Sequence, residues 1–412
     1  QLDSYDWGSN DAEVDYEKIY NNRFDALRIA YDNFKKKDQK AFSAFKRKNS
    51  KWLKNYALYM AVKKSFDMVS WTEWPDEEIR MHEEAAVKRY ERKLKDDVDF
   101  WKFLQFKFFE QWKKLKQYAK EKELQIVGDI PIYVALDSAD VWSHPELFQL
   151  DEENLTPLKV SGVPPDAFSE DGQLWGNPLY DWEKMEQTDF AWWRSRMKAS
   201  AELYDAVRID HFIGVVQYYA IPYDAVTAKD GEWEKGPGKK LTDALDEAAG
   251  ETKIIAEDLG VFCQEVKDLL AETGYPGMKI IEFAFSGDRF NEHLPHCYDP
   301  NSVVYGGTHD NETLAGYFKP EKRQWWELQY IADYLGAAHQ SEVVDRVFRA
   351  AYGSVASVAI FQMQDVLKLD NWARMNTPGT LGENWRWRLV PGQFTDERAD
   401  YLSWLVDTFG RF

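Results

Sequence analysis

The sequence is poor in cysteine, in long apolar runs and in positive charge. Only Cys263 and Cys297 occur among 412 residues, so neither a disulfide framework nor a cysteine metal site is predicted. The two cysteines are interpreted as free thiols of a protein in a reducing cytoplasm. No apolar run approaches the roughly 18 residues that a membrane-spanning helix needs, and none is predicted.

The charge balance limits the kinds of partner. Lys and Arg number 52 against 71 Asp and Glu, a formal net charge of −19. Nucleic acids and anionic membranes both attract cationic surfaces, so neither is predicted as a partner, and a neutral substrate fits better.

Aromatic residues make up 16% of the chain, with 18 Trp. They suit both a packed core and a sugar-binding site, and composition does not separate these two interpretations.

The chain changes character near residue 124. Up to residue 123 the apolar spacing predicts helices, as in Tyr20, Phe24, Leu27 and Tyr31. Beyond it, short apolar runs alternate with helical segments, which predicts a parallel sheet with crossover helices. The six runs are 124–134, 206–210, 253–257, 279–284, 302–306 and 355–361.

Acidic residues end or follow four of these runs, namely Asp129, Asp210, Glu257 and Asp310. A buried charge is costly, but in a (β/α)8 barrel the C-terminal strand edge is where active sites are built. Six strand candidates are visible instead of eight. The intervening region 135–180 has many turn signals, and is interpreted as a long active-site loop without regular structure.

Three of these acids suit glycosidic bond cleavage. Retention of configuration needs two carboxyl groups about 5–5.5 Å apart, one as nucleophile and one as acid and base. Arg208 lies two residues before Asp210 and on a strand would share its face, which would keep the nucleophile ionised. Burial and the neighbouring Asp210 would raise the pKa of Glu257. Taken singly, each motif also fits an ordinary ion pair or a helix cap.

At these residues the sequence resembles the α-amylase superfamily, and within it the amylomaltases, which are 4-α-glucanotransferases. Four superfamily regions occur in order, at 128–134, 207–210, 255–258 and 308–310. The more specific match is Gly-Val-Pro-Pro-Asp-Ala-Phe-Ser at 162–169, continued by Gly-Gln-Leu-Trp-Gly-Asn-Pro-Leu-Tyr at 172–180. The segments 135–145 and 384–388 also match.

The resemblance implies roles for individual residues. Asp210 is the nucleophile, Glu257 the general acid and base, and Asp310 the third, transition-state carboxylate. The implied sugar-binding residues are Arg208, His309, Asp129, Asp166, Phe168, Gln173, Trp175, Asn177 and Asn376. Trp175 fits loop anchoring as well as sugar stacking, His309 also fits a core hydrogen-bond partner, and Asn177 also fits a turn.

The resemblance also implies an architecture. The fold is a (β/α)8 TIM-type barrel, with residues 1–123 as a mainly helical insertion subdomain and 124–412 as the catalytic core. The family begins with a segment that carries the first strands, and nothing here matches it. The barrel is therefore expected to be incomplete, and either the intact gene product is longer or this fragment is inactive. Position 167 is Ala where many relatives have Tyr.

The leading hypothesis is transfer of α-1,4-glucan segments between maltodextrins, with glucose as a further partner and without a metal or organic cofactor. An amylase-type hydrolase and an inactive glucan-binding remnant are the alternatives. The oligomeric state, the preferred glucan length and the ratio of transfer to hydrolysis are left open.

Overall fold

The computed structural model describes residues 2–37, 39–165, 169–261 and 263–411. The chain forms two compact units. The central unit comprises Asp25–Thr273, and the terminal unit comprises Gln1–Phe24 together with Gly274–Phe412. The sites below are described within each unit separately.

The regular elements alternate between helix and strand after residue 123. The helices are α1 Tyr16–Phe34, α2 Lys40–Lys48, α3 Ser50–Ser65, α4 Glu77–Arg80, α5 Glu84–Lys93, α6 Lys95–Glu121, α7 Ala139–Ser143, α8 Trp182–Gln187, α9 Ala191–Leu203, α10 Ile213–Val216, α11 Lys239–Ala249, α12 Gln264–Thr273, α13 Leu314–Tyr317, α14 Trp325–Leu335, α15 Val343–Tyr352, α16 Met363–Val366 and α17 Asp396–Phe409. The strands are β1 Val127–Ile130, β2 Lys159–Val163, β3 Gln173–Pro178, β4 Ala206–Ile209, β5 Gln217–Pro222, β6 Glu232–Lys235, β7 Lys253–Ala256, β8 Gly277–Ile280, β9 Ser302–Tyr305 and β10 Val358–Ile360.

Five of the six predicted apolar runs contain a strand of a parallel sheet. The sixth, 279–284, shares only two residues with β8, and a 3₁₀ helix follows at Ile281–Phe283. In the central unit β1, β4 and β7 pair in that order, and in the terminal unit the order is β10-β9-β8. Short β-branched runs suit these positions, because a parallel strand is covered on both faces. Val207, Ile209 and Ile254 are each less than 5% exposed. The predicted parallel strands are therefore confirmed.

The region 135–180 is more regular than predicted. It contains α7 and the strands β2 and β3, which join β5 and β6 in an antiparallel sheet of order β3-β2-β5-β6. Val160, Tyr219 and Ile221 form a small buried cluster on this sheet. The expectation of no regular structure was wrong, because five- and six-residue strands between Pro- and Gly-containing turns are too short to show a clear period.

The helical first part of the chain packs through aromatic rings in the central unit. Phe106 of α6 lies against Phe42 of α2, and Phe109 of α6 against Phe45, each pair with ring centroids 5.5 Å apart. The i, i+3 spacing places the rings of each helix on one face. Such pairs contribute about 0.5–1.5 kcal/mol each beyond their buried area.

Two predicted helices are each divided in two. The segment 182–204 breaks between α8 and α9, where Asp189 and Phe190 have φ of 53° and 51°. A left-handed conformation costs energy in such residues, and the burial of Phe190, which is 3% exposed, offsets it. The segment 321–352 breaks after α14, which ends at the left-handed Gly336. No glycine or proline marks the break at Phe190, and Gly336 was not interpreted as a helix end.

The core of the terminal unit lies between β9 and the helices α13, α15 and α17. Its fully buried members include Val304, Leu314, Val347, Phe348 and Leu405. No helix among the described residues is both long and apolar enough to cross a membrane.

Candidate active site

Charged side chains meet at the C-terminal ends of β1 and β4. Asp129 and Arg208 are register partners in the sheet, and the Arg208 guanidinium lies 2.7 Å from the carboxylates of both Asp129 and Asp210. Arg208 therefore shares a face with Asp210, as the strand spacing predicted. The arginine side chain is 11% exposed, while Asp129 and Asp210 are 48% and 41% exposed. One buried cation thus orients two half-exposed carboxylates.

The charge of Arg208 is held in place by these partners. Burial alone would disfavour the guanidinium cation. The carboxylates of Asp210 and Asp129 outweigh burial and raise the pKa of Arg208 above its usual value.

Glu257 lies next to Asp210 on the adjacent strand. β4 and β7 pair up to Ile209 and Ala256, so Asp210 and Glu257 are the next residues on strands that lie about 4.8 Å apart. The backbone N–H of His211 donates to one Glu257 oxygen at 2.6 Å, and the other oxygen accepts from Leu259 at 3.0 Å.

The environment of Glu257 favours its protonated form. The residue is 8% exposed. Burial raises the pKa of Glu257 to about 7, the negative charge of Asp210 adds to the rise, and Arg208 opposes it. The rise expected from the sequence is therefore confirmed. Near neutral pH a carboxyl group of this kind can both donate and accept a proton.

Asp310 lies in the terminal unit, in the turn that follows β9. The side-chain amide of Asn376 donates to Oδ1 of Asp310 at 2.5 Å, and Nε2 of His309 lies 3.3 Å from Oδ2. Arg374 donates to the backbone carbonyl of Asp310 at 2.6 Å. The structure thus brings His309, Asp310 and Asn376 together, and the His309 ring packs against Trp385 at 5.1 Å.

His211 is a site residue that was not predicted, although it directly follows Asp210. Its φ of 51° is left-handed, and its ring packs edge-on against Trp175, with centroids 4.8 Å apart. Burial lowers the pKa of His211 to about 4, so the ring is neutral at pH 7. Among the described residues its Nε2 atom has no hydrogen-bond partner. This atom is buried, so His211 contributes to the site through the backbone N–H that it donates to Glu257 and through its packing on Trp175.

Three of the predicted junction residues, Gln173, Trp175 and Asn177, lie on β3. Nε1 of Trp175 donates to Oε1 of Gln173 at 3.1 Å, and Oδ1 of Asn177 accepts from Ser161 at 3.4 Å. Trp175 is 38% exposed and is in ring contact with His211, so it anchors the strand and still presents part of its ring. Two other predicted junction residues, Asp166 and Phe168, lie outside the described residues.

Comparisons with known proteins identify the family. Residues 2–393 match the profile described as 4-alpha-glucanotransferase. The chain belongs to this family. It is 46% identical over 405 residues to a 4-alpha-glucanotransferase of Clostridium butyricum, which covers 98% of this chain and 83% of that protein. A 4-alpha-glucanotransferase of Streptococcus pneumoniae serotype 4 is 46% identical over 411 residues, which covers 100% and 81%.

A solved structure of the family has the same fold. The amylomaltase from Streptococcus agalactiae, in complex with acarbose, superposes with a TM-score of 0.95 at 38% identity, covering 99% of this chain and 82% of that one. This match confirms the predicted fold class, a (β/α)8 TIM-type barrel with helical insertions. The family also confirms the predicted enzyme class, a glycosyltransferase of the 4-α-glucanotransferase type.

Two contacts with predicted site residues come from residues that the sequence analysis did not single out. Arg374 contacts Asp310 from 64 residues away, and Trp385 contacts His309 from 76 residues away. Adjacency to Asp210 was the only signal for His211. Within the described ranges no group of three His, Cys, Asp or Glu side chains could hold a metal ion.

Proposed function

We propose that this chain transfers α-1,4-glucan segments between maltodextrins by a retaining double displacement. Asp210 is the nucleophile and Glu257 the general acid and base. The observation that supports these roles best is the pair itself. One carboxylate is ion-paired with Arg208, and the other is buried beside it with its pKa raised to about 7. An ion-paired carboxylate suits a nucleophile, and a buried carboxyl group with a raised pKa suits a general acid and base.

In the first step, Oδ of Asp210 attacks the anomeric carbon while the glycosidic C–O bond breaks. The electron pair of that bond goes to the leaving oxygen, which takes the proton of Glu257. The products are a sugar with a free 4-hydroxyl and a glucosyl ester on Asp210. Glu257 is left as a carboxylate, and the N–H groups of His211 and Leu259 stabilise it.

In the second step, the 4-hydroxyl of an acceptor sugar gives its proton to Glu257 and attacks the anomeric carbon. The ester bond to Asp210 breaks, and its electron pair returns to the carboxylate. Arg208 then pairs with the restored charge. No metal or organic cofactor takes part in either step.

Asp310 is proposed as the third carboxylate, which stabilises the positive charge that develops on the sugar ring. Its contacts with Asn376 and His309 support this role, because they fix the carboxylate while leaving it 46% exposed. Asn376 is proposed to reach a donor sugar as well as Asp310.

The remaining predicted residues are proposed to bind the glucan. Asp129 and Arg208 contact the sugar that is transferred, together with His309. The junction between donor and acceptor is assigned to Asp166, Phe168, Gln173, Trp175 and Asn177. Acarbose, which is bound by the amylomaltase of Streptococcus agalactiae, is proposed to occupy the same residues here.

The domain organisation and location stay proposals. Residues 124–412 form the catalytic core with its active-site region at 135–180, and residues 1–123 form a helical insertion. The two cysteines, which are unpaired, support a cytoplasmic location.

Incubation with maltotriose tests the function. Transfer produces glucose together with maltodextrins longer than the substrate, which chromatography separates. Maltose and glucose without longer chains would indicate hydrolysis instead. Absence of any turnover, combined with heat of binding for maltoheptaose in calorimetry, would indicate a binding protein.

A further inference from the structure

One side chain, Asn311, ties together the turn that carries His309 and Asp310. Its Oδ1 accepts hydrogen bonds at 2.9 Å from both the backbone N–H and the hydroxyl of Thr308. The Thr308 hydroxyl oxygen in turn accepts the N–H of Asp310 at 3.3 Å. The conformation of the turn therefore depends on how the Asn311 amide is oriented.

A buried carboxyl group sets that orientation. Nδ2 of Asn311 donates to Oε2 of Glu282 at 3.1 Å, and Glu282 is only 2% exposed. The Tyr317 hydroxyl donates to the backbone carbonyl of Glu282, which fixes its main chain. Packing is close on the other side, because a Cβ on Gly307 would lie 2.8 Å from Oε1 of Glu282. Glu282 therefore has little freedom to move away from Asn311.

The surroundings of Glu282 disfavour its charged form. Burial raises the pKa of Glu282 well above its usual range; the nearby Asp365 and Glu312 add to the rise, and Asn311 and Arg374 oppose it. Among the described residues, Oε1 of Glu282 has no hydrogen-bond partner. The contact with Asn311 is a hydrogen bond to an acceptor oxygen of Glu282. Glutamine offers the same acceptor at nearly the same volume.

We propose that Glu282 is a positioning residue, which through Asn311 fixes the 307–311 turn and so the presentation of His309 and Asp310. This inference rests on the proposed role of Asp310. That role is exerted in the transition state, where the sugar ring becomes positive. Misplacing the turn should therefore lower kcat far more than it changes KM.

The test compares Glu282→Gln with Glu282→Leu in maltotriose disproportionation. We expect Glu282→Gln to keep kcat within about twofold of wild type, because the acceptor is retained. Glu282→Leu should lower kcat by about a hundredfold, the scale of a 1 Å misplacement, with KM changed less than about threefold. If the leucine variant does not fold, Asn311→Ala removes the same contact from the half-buried side of the turn and should show the same split.

Val347→Ala is the matched control for loss of stability. Val347 is fully buried in the core of the same unit, so the variant should lower Tm and leave kcat unchanged below the transition. A folded Glu282→Leu with kcat within twofold of wild type would overturn the proposal. So would a glutamine variant that is as inactive as the leucine variant.

Hydrogen exchange separates this inference from the proposed function. The amides of Thr308 and Asp310 should exchange more than about tenfold faster in Glu282→Leu and Asn311→Ala, and at the wild-type rate in Glu282→Gln. Unchanged exchange in all variants would overturn the positioning role whatever the activity. A wild-type protein that transfers no glucan but shows the expected exchange would contradict only the proposed function.

Discussion

Asp210 is oriented by a single ion pair, so its chemistry can be tested without disturbing the fold. Asp210→Asn keeps the shape of the side chain and removes the nucleophilic charge, and we expect kcat to fall more than about a thousandfold. Asp129→Asn is the matched control, because it removes the other partner of the same guanidinium and leaves the nucleophile in place. It should retain at least tenfold more activity than Asp210→Asn. Equal losses of kcat in the two variants would contradict the nucleophile assignment. They would indicate that both variants act by removing a partner of the Arg208 guanidinium.

Glu257 should make the stability of the protein depend on pH. Its pKa is about 7 in the folded protein against 4.5 in the unfolded chain. Below pH 4.5 both forms are protonated. Between pH 4.5 and 7 the unfolded chain loses its proton first, so the free energy of unfolding falls as pH rises, by about 3 kcal/mol in total.

Glu257→Gln removes this titration. Relative to wild type, the free energy of unfolding of the variant should increase by about 3 kcal/mol between pH 4 and pH 8. Urea denaturation at the two pH values measures the difference. A gap between variant and wild type that is independent of pH would mean that Glu257 is ionised in the folded protein at neutral pH.

At the scale of elements, β2 depends on a glycine for its close approach to β3. A Cβ on Gly162 would lie 2.2 Å from the backbone oxygen of Gln173, a clash with main chain that no rotamer relieves. Gly162→Ala should therefore push β3 away, lower Tm and raise KM for maltotriose, since Gln173 and Trp175 are proposed to bind sugar. Gly274→Ala in the terminal unit is the comparison: its φ of 72° makes the substitution strained, but nothing lies within 4 Å of the added carbon, so Tm should fall while KM stays unchanged. A Gly162→Ala variant with wild-type KM would contradict the proposal that residues of β3 bind the substrate.

The elements differ in how far the sequence predicted them. β4 and β7 were recognisable because parallel strands are continuous apolar runs, and the acids that end them stand out against that background. β2 and β3 were not, since half of each strand is polar and their pairing is set by contacts such as that at Gly162. The break at Phe190 was also invisible, because it is stabilised by burial rather than by a helix-breaking residue.

At the scale of the whole molecule, the order of motifs along the chain was sufficient to identify the family. It was not sufficient to identify the residues that hold the candidate catalytic side chains in position. Asp210, Glu257 and Asp310 each follow an apolar run, and this pattern is visible in a single sequence. Glu282 lies in a similar run and was passed over, because nothing local distinguishes a buried acid from an exposed one. Its contact with Asn311 spans 29 residues and exists only after folding.

The net charge of −19 leads to a prediction about ionic strength. Surface charges repel one another over about 30 Å at 0.01 M salt but over less than 10 Å above 0.1 M, so Tm should rise with NaCl as the self-repulsion is screened. A neutral maltodextrin has no charge to be steered, and the ion pairs of Arg208 are short, at 2.7 Å, with an arginine side chain that is only 11% exposed. KM for maltotriose should therefore stay within about twofold between 0.01 and 0.5 M NaCl. If KM changes more than about fivefold while Tm rises, surface charge takes part in recognising the substrate. That result would contradict the prediction, because a neutral glucan carries no charge for the surface to recognise.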